Sequence, residues 1–206
     1  MADVAAPSMP VPPDSSPGVP AARPDFQVVP LKGLPFVGII LVLLVAAIAA
    51  GKLWPLIFLH VAFGAAWTIV DLFMGFVIGP ILGRMSVPAR IELTTKLMPK
   101  MVLIMPTVVS VTLAAGWQLG VEMGTVDSSY YHHGLLVASY VVVGVMAVIA
   151  LGLLEPANIA ILIELKKPAP NPAVIEKLMK RFIYTSGIIG LLQVATLLIM
   201  TRIAAG

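Results

Sequence analysis

The stretch from Pro55 to Leu82, PLIFLHVAFGAAWTIVDLFMGFVIGPIL, decides the fold. It runs through apolar and small residues and contains only two ionisable side chains, His60 and Asp71. About 20 such residues in a helix cross a hydrocarbon core of roughly 30 Å, so the stretch reads as a membrane span. Within a bilayer an unpartnered carboxyl or imidazole is costly, and both residues therefore need partners in the protein interior.

The rest of the chain agrees. Of 206 residues, 59% are hydrophobic and 11% charged, against roughly 25% charged in a soluble domain. Further apolar runs cover about 34–50, 101–119, 134–155 and 182–200. Together with 55–82 they predict an all-α polytopic transmembrane bundle of five spans, a four-helix core with an added N-terminal helix. This membrane domain covers 31–206. Residues 1–30 form a Pro-rich tail, which predicts extended or disordered backbone. The tail either hangs free or lies along partner subunits. It holds no apolar core of the signal-peptide kind.

There is no cysteine, which excludes disulfides, thiolate metal sites and a Cys nucleophile. The net charge of +3 does not describe a nucleic-acid surface, and the basic residues cluster in two inter-span segments. Arg84, Arg90, Lys96 and Lys100 follow the second span; Lys166, Lys167, Lys177, Lys180 and Arg181 follow the fourth. The segment VEMGTVDSSYYHH between the third and fourth spans has two acids and no Lys or Arg. The positive-inside rule puts both basic loops and the N-terminus in the cytoplasm, with Lys52 and Arg202 running against it. Trp54, Tyr130 and Tyr131 fall at the outer boundary, where amphipathic rings favour the headgroup layer.

At about 100° per residue, His60, Gly64, Trp67, Asp71, Gly75, Ile78 and Leu82 form one narrow row on an ideal helix. An imidazole, an indole, a carboxyl and two glycines thus share a face that should look into the bundle. His60 and Asp71 lie about 16 Å apart along the axis and cannot pair directly. For His60 the partners on the same side are His132, His133 and Met123. Three histidines toward one membrane face suit a haem or copper site, because imidazole and thioether ligate both; the alternative is a hydrogen bond from His60 to a backbone carbonyl. For Asp71 the candidates are Thr107, Ser110 and Thr112 on the third span, Tyr140 on the fourth and Gln193 on the fifth. An intramembrane carboxyl with such partners either relays protons, binds an ion or fastens two helices together. Glu155 and Asn158 flank Pro156, where a helix break at the interface is expected. Gly187 and Gly190 with Gln193 give the last span a close-packing face. No Walker loop, H-E-x-x-H or Ser elbow is present, and no paired inverted repeats with broken helices mark a secondary transporter.

The segment LHVAFGAAWTIVDLFMGFVIGPIL resembles the first core helix of the copper-resistance protein D family and related bacterial integral membrane proteins. The matching positions are His60, Trp67, Phe73, Pro80 and Leu82, and a third span closing on Gly116 and Trp117 extends the likeness over roughly 53–200. That group usually has Gly where Val70 or Asp71 stands. The resemblance implies a four-helix core in the bacterial inner membrane and copper or redox handling. The same core is similar to the small haem-containing protoporphyrinogen oxidase of bacteria, whose first-helix His ligates haem b. His60 would take that role, but that family's Arg- and His-containing helix end is missing. The leading expectation is a non-enzymatic inner-membrane protein with an interior site around His60, Trp67 and Asp71 for copper, haem or protons. An accessory subunit of a larger membrane complex and a haem-containing membrane oxidase are the alternatives.

Overall fold

A computed structural model describes residues 25–205. The Pro-rich tail as far as residue 24 lies outside the described residues. Among the described residues the regular structure is all helical. Five helices are long and apolar enough to cross a membrane: α1 (Leu31–Ala50), α2 (Leu53–Arg84), α3 (Val87–Glu122), α4 (His133–Lys166) and α5 (Pro172–Ala204). The chain is a multi-pass, all-α membrane bundle.

The helices run up and down. Gly51 makes the tight turn from α1 to α2 at φ 57°, a left-handed conformation that costs glycine little. The same turn lies against the Glu122 carboxylate at the end of α3. At the other end the chain entering α1 meets the end of α4, where Lys166 Nζ stands 5.4 Å above the Phe26 ring. The main core is built by α2 to α5 around Trp67, Met98, Val109, Met146, Ile161 and Ile189. α1 is added from outside through Leu44 and Ala47, which pack on Leu56, Leu59, Val111 and Ala115.

The basic segments predicted as loops are mostly helix. Only Met85 and Ser86 separate α2 from α3, and only the residues 167–171 separate α4 from α5. At 1.5 Å per residue the 36-residue α3 is about 54 Å long, so its basic start projects well beyond a core of roughly 30 Å. The exposed ends of α3 and α5 carry i,i+4 ion pairs, Glu92–Lys96 at 2.6 Å and Glu176–Lys180 at 2.8 Å. Proline falls in the first turn of both helices, and Asn171 caps α5 by accepting from Ala173 N and Val174 N. In the short α4–α5 turn, the Glu164 carboxylate accepts from Lys167 Nζ and Asn171 N.

Two π-helical segments interrupt the spans, Phe73–Ile78 in α2 and Ala150–Leu154 in α4. Each stands just before a proline. Gly79 N–H bonds Met74 O, and Glu155 N–H bonds Ala150 O, each reaching five residues back. Pro80 and Pro156 come next; they lack the N–H, and their rings would strike the carbonyl four residues earlier in an undisturbed α-helix. One wide turn relieves that clash and lets the helix continue. Its effect on α2 is a change of face. The buried positions step from Asp71 and Met74 to Gly79 and Leu82, a five-residue stride in the middle. Ideal-helix spacing predicts Ile78 on this row, and the π turn replaces it with Gly79.

Downstream of Asp71, α2 lies directly on α5. A Cβ on Gly75 would stand 2.6 Å from Gly187 Cα and 2.8 Å from Gly187 N. A Cβ on Gly187 would meet only Gly75 Cα, at 3.9 Å. The crossing therefore depends on one glycine and not on the other. Gly75→Ala should lower stability by about 1–3 kcal/mol through overpacking, whereas Gly187→Ala should stay near wild type. Thermal unfolding of the detergent-solubilised variants reads this asymmetry; equal losses, or the larger loss at Gly187, would contradict it.

Candidate functional site

α2 brings Asp71 to the centre of the bundle, where only 1% of its surface remains exposed. Among the described residues, the two side chains that hydrogen-bond its carboxyl with good geometry come from α5. Ser186 Oγ donates to Oδ1 at 3.0 Å and lies 3.2 Å from the Asp71 main-chain oxygen. Gln193 Nε2 donates to Oδ2 at 3.1 Å. Ser186 and Gln193 are two turns apart on one face of α5, with Gly187 and Gly190 beside them against α2. Both donors are neutral, and among the described residues no cation makes an ion pair with this carboxyl.

The cluster has hydrogen-bonding capacity left over. The Trp67 indole, one turn before Asp71 and 2% exposed, directs its N–H toward the same carboxyl outside hydrogen-bond geometry. Gln193 Oε1 is buried without an acceptor's partner. One orphan donor and one orphan acceptor thus flank a buried carboxyl, an arrangement that buried water commonly completes.

Of the expected partners for Asp71, Gln193 is found and the others serve elsewhere. Thr107 and Thr112 donate back to Leu103 O and Val108 O of their own helix, each at 2.6 Å. Ser110 is exposed. Tyr140 packs on Trp117 at 5.6 Å, with its hydroxyl against the Gly120 backbone. Ser186 was legible only as a small polar residue one position before Gly187. The signal that could have found it is spacing: Ser186 stands seven residues, two helical turns, before Gln193 and so shares its face.

His60 belongs to a different contact. Its Nδ1 lies 2.9 Å from Thr112 O on α3, and the ring sits where a Gly116 side chain would be. A carbonyl can only accept, so Nδ1 carries the hydrogen of this bond, and Nε2 is the ring nitrogen left for another partner. Gly64 continues this face against Thr112. The single inward row therefore divides by neighbour: His60 and Gly64 meet α3, whereas Asp71, Gly75 and Gly79 meet α5.

His132 packs edge-on against Tyr131, ring centroids 4.5 Å apart, with Tyr130 at 6.2 Å. His132 Nε2 and His133 Nδ1 are buried without partners. Met123, at the end of α3, is 54% exposed. Among the described residues no group of three or more His, Asp or Glu side chains is placed to hold a metal ion. Two grooves, one between α2 and α5 and one between α1 and α3, are lined by no histidine, so neither suits a haem held by His60, His132 or His133.

Glu155 and Asn158 do not mark an exit from the bundle as the proline suggests. They lie within the continuous α4. Asn158 is fully buried and donates to Met98 O of α3 at 3.4 Å. Glu155 Oε1 and Asn158 Oδ1 are buried without partners.

Comparison of the chain with known protein families, curated proteins and solved structures finds no match.

Replacing Asp71 with Ala strands the Ser186 hydroxyl and the Gln193 amide in the core. Interhelical hydrogen bonds in membranes are worth on average about 0.6 kcal/mol each, with unmet donors costing more, so Asp71→Ala should lose roughly 1–3 kcal/mol. Unfolding by sodium dodecyl sulfate titration measures it; an unchanged midpoint would mean that the α2–α5 contact does not depend on the carboxyl.

Proposed function

We propose that the chain is a non-enzymatic protein of the bacterial inner membrane, N-terminus in the cytoplasm, in which Asp71 relays protons. The observation that carries this reading is the composition of the Asp71 cluster. A buried carboxyl is held by two neutral donors on α5, beside an orphan indole N–H and an orphan amide oxygen. A carboxyl kept only to fasten two helices would be served as well by an amide, with no ionisable group to stabilise in hydrocarbon. Unfilled hydrogen-bonding positions on both sides suit a water that hands a proton on.

A second reading is supported by His60. Metal-ligating imidazoles usually donate one ring nitrogen to a carbonyl and present the other to the ion, which is the arrangement of His60 Nδ1 on Thr112 O. In this reading Nε2 takes copper, as the likeness to the copper-resistance protein D family implies.

Asp71→Asn separates relay from fastening. Gln193 Oε1 has no partner, so the Gln193 amide turns over and accepts from the new Asn amide. The variant should unfold within about 1 kcal/mol of wild type. In liposomes with a trapped pH indicator, wild type should discharge an imposed pH gradient faster than protein-free liposomes, and Asp71→Asn should match the protein-free rate. Wild type at the protein-free rate, or the variant at the wild-type rate, contradicts the relay. In the same preparation, stoichiometric copper lost in His60→Ala would favour the second reading.

A further inference from the structure

A groove of about 680 Å3 runs between the second half of α2 and the first half of α5. Gly75, Gly79, Gly83 and Gly187 line it, with Phe76 and Ile188 among its apolar walls. Phe76 and Ile188 are 54% and 56% exposed, so the groove opens sideways toward lipid. Its charged residues gather at one end. Arg90 in the first turns of α3, with Lys180 and Glu176 of α5, stands where the apolar runs of α2 and α5 give way to the basic segments. From Lys180 to Leu191 the groove follows α5 for about 16 Å, close to one leaflet of a hydrocarbon core roughly 30 Å thick.

Arg90 is underused. Its Nη2 donates to Met85 O at 3.4 Å, and its Nε is buried with no acceptor. Among the described residues it makes no ion pair, because Glu176 is taken by Lys180. A guanidinium has five donors in a fixed fork suited to phosphate oxygens. Basic pockets between membrane helices at the headgroup level recognise anionic lipid headgroups.

We propose that this groove binds one anionic glycerophospholipid, its phosphate on Arg90 and Lys180 and one acyl chain along the glycine-lined wall. Charge and apolar length agree on this occupant. The two cations outnumber the single carboxylate at the mouth, and the apolar part matches one leaflet. Glu176 opposes the headgroup and competes for Lys180.

Native mass spectrometry of the full-length, delipidated protein titrated with dioleoylphosphatidylglycerol or dioleoylphosphatidylcholine tests the site. Wild type should bind one phosphatidylglycerol at least tenfold more tightly than phosphatidylcholine. Arg90→Gln/Lys180→Gln should remove that preference, at about fivefold for each cation. Glu176→Gln should tighten phosphatidylglycerol binding. Lys32→Gln/Lys100→Gln, which removes two cations from the separate groove between α1 and α3, should leave the preference intact. Gly83→Leu should weaken both lipids by filling the groove; a Cβ at Gly83 meets nothing within 4 Å, so the fold tolerates it. Equal binding of the two lipids by wild type, loss of the preference in the Lys32/Lys100 variant, or weaker binding in Glu176→Gln overturns the proposal. So does displacement of the lipid by millimolar inorganic phosphate, which would make this a site for free phosphate.

Discussion

A carboxyl halfway through an apolar helix has to be met by donors on a neighbouring helix, and this requirement organises the bundle. Asp71 lies on α2, and both of its side-chain donors lie on α5. Bonds of about 3 Å from a short Asp, a shorter Ser and a longer Gln bring the two helix axes close together. Backbones approach that closely only where side chains are absent. Gly75 accordingly meets Gly187, Gly79 meets Ile183 and Gly190 meets Leu72. Polar contact and small-residue packing are thus one contact seen from two sides, which is how membrane helices associate when the hydrophobic effect cannot drive them together.

The π turn in α2 makes this contact possible over its full length. Without it, Pro80 would strike the preceding turn, and the positions beyond Met74 would rotate away from α5. With it, Asp71 and Gly79 both face α5 although they are eight residues apart. α4 meets the same constraint before Pro156 in the same way, and its Asn158 then reaches Met98 O on α3. Proline in these spans shifts register without ending the helix. Beyond this contact Gly83 stays open on the lipid side, at the end of the groove near Arg90.

The number, order and approximate centres of the spans were legible because hydrophobic length is set by the bilayer and needs no tertiary information. Gln193 as a partner of Asp71 was legible too, since few polar residues occur at membrane depth. The extent of the helices was not. Arg84–Lys100 and Lys166–Arg181 carry the charges of a loop, and the signals against a loop were small: Ser86 before Pro88, Asn171 before Pro172, and the Glu92–Lys96 and Glu176–Lys180 spacings. The face of α2 was legible through Gly75 and again at Leu82, but Met74 and Gly79 were missed and Ile78 was placed on it instead. Periodicity at 100° per residue holds until a wide turn adds a residue, and a sequence does not say whether a proline will end, bend or shift a helix. His60 was placed in the same row as Asp71, but a row on one helix is not one site when two different helices cover it.

α2 changes register at its π turn and so presents Asp71 and Gly79 together to α5. The chain has no cysteine, so paired cysteines report on it without interference. A Cβ at Gly79 lies 3.7 Å from Ile183 Cβ, within the roughly 3.5–4.5 Å that a disulfide needs. Oxidation of the Gly79→Cys/Ile183→Cys protein in native membranes should give near-complete cross-linking between α2 and α5, while Ile78→Cys/Ile183→Cys stays reduced. Cross-linking through position 78 and not 79 would mean a straight α2 and would contradict this account.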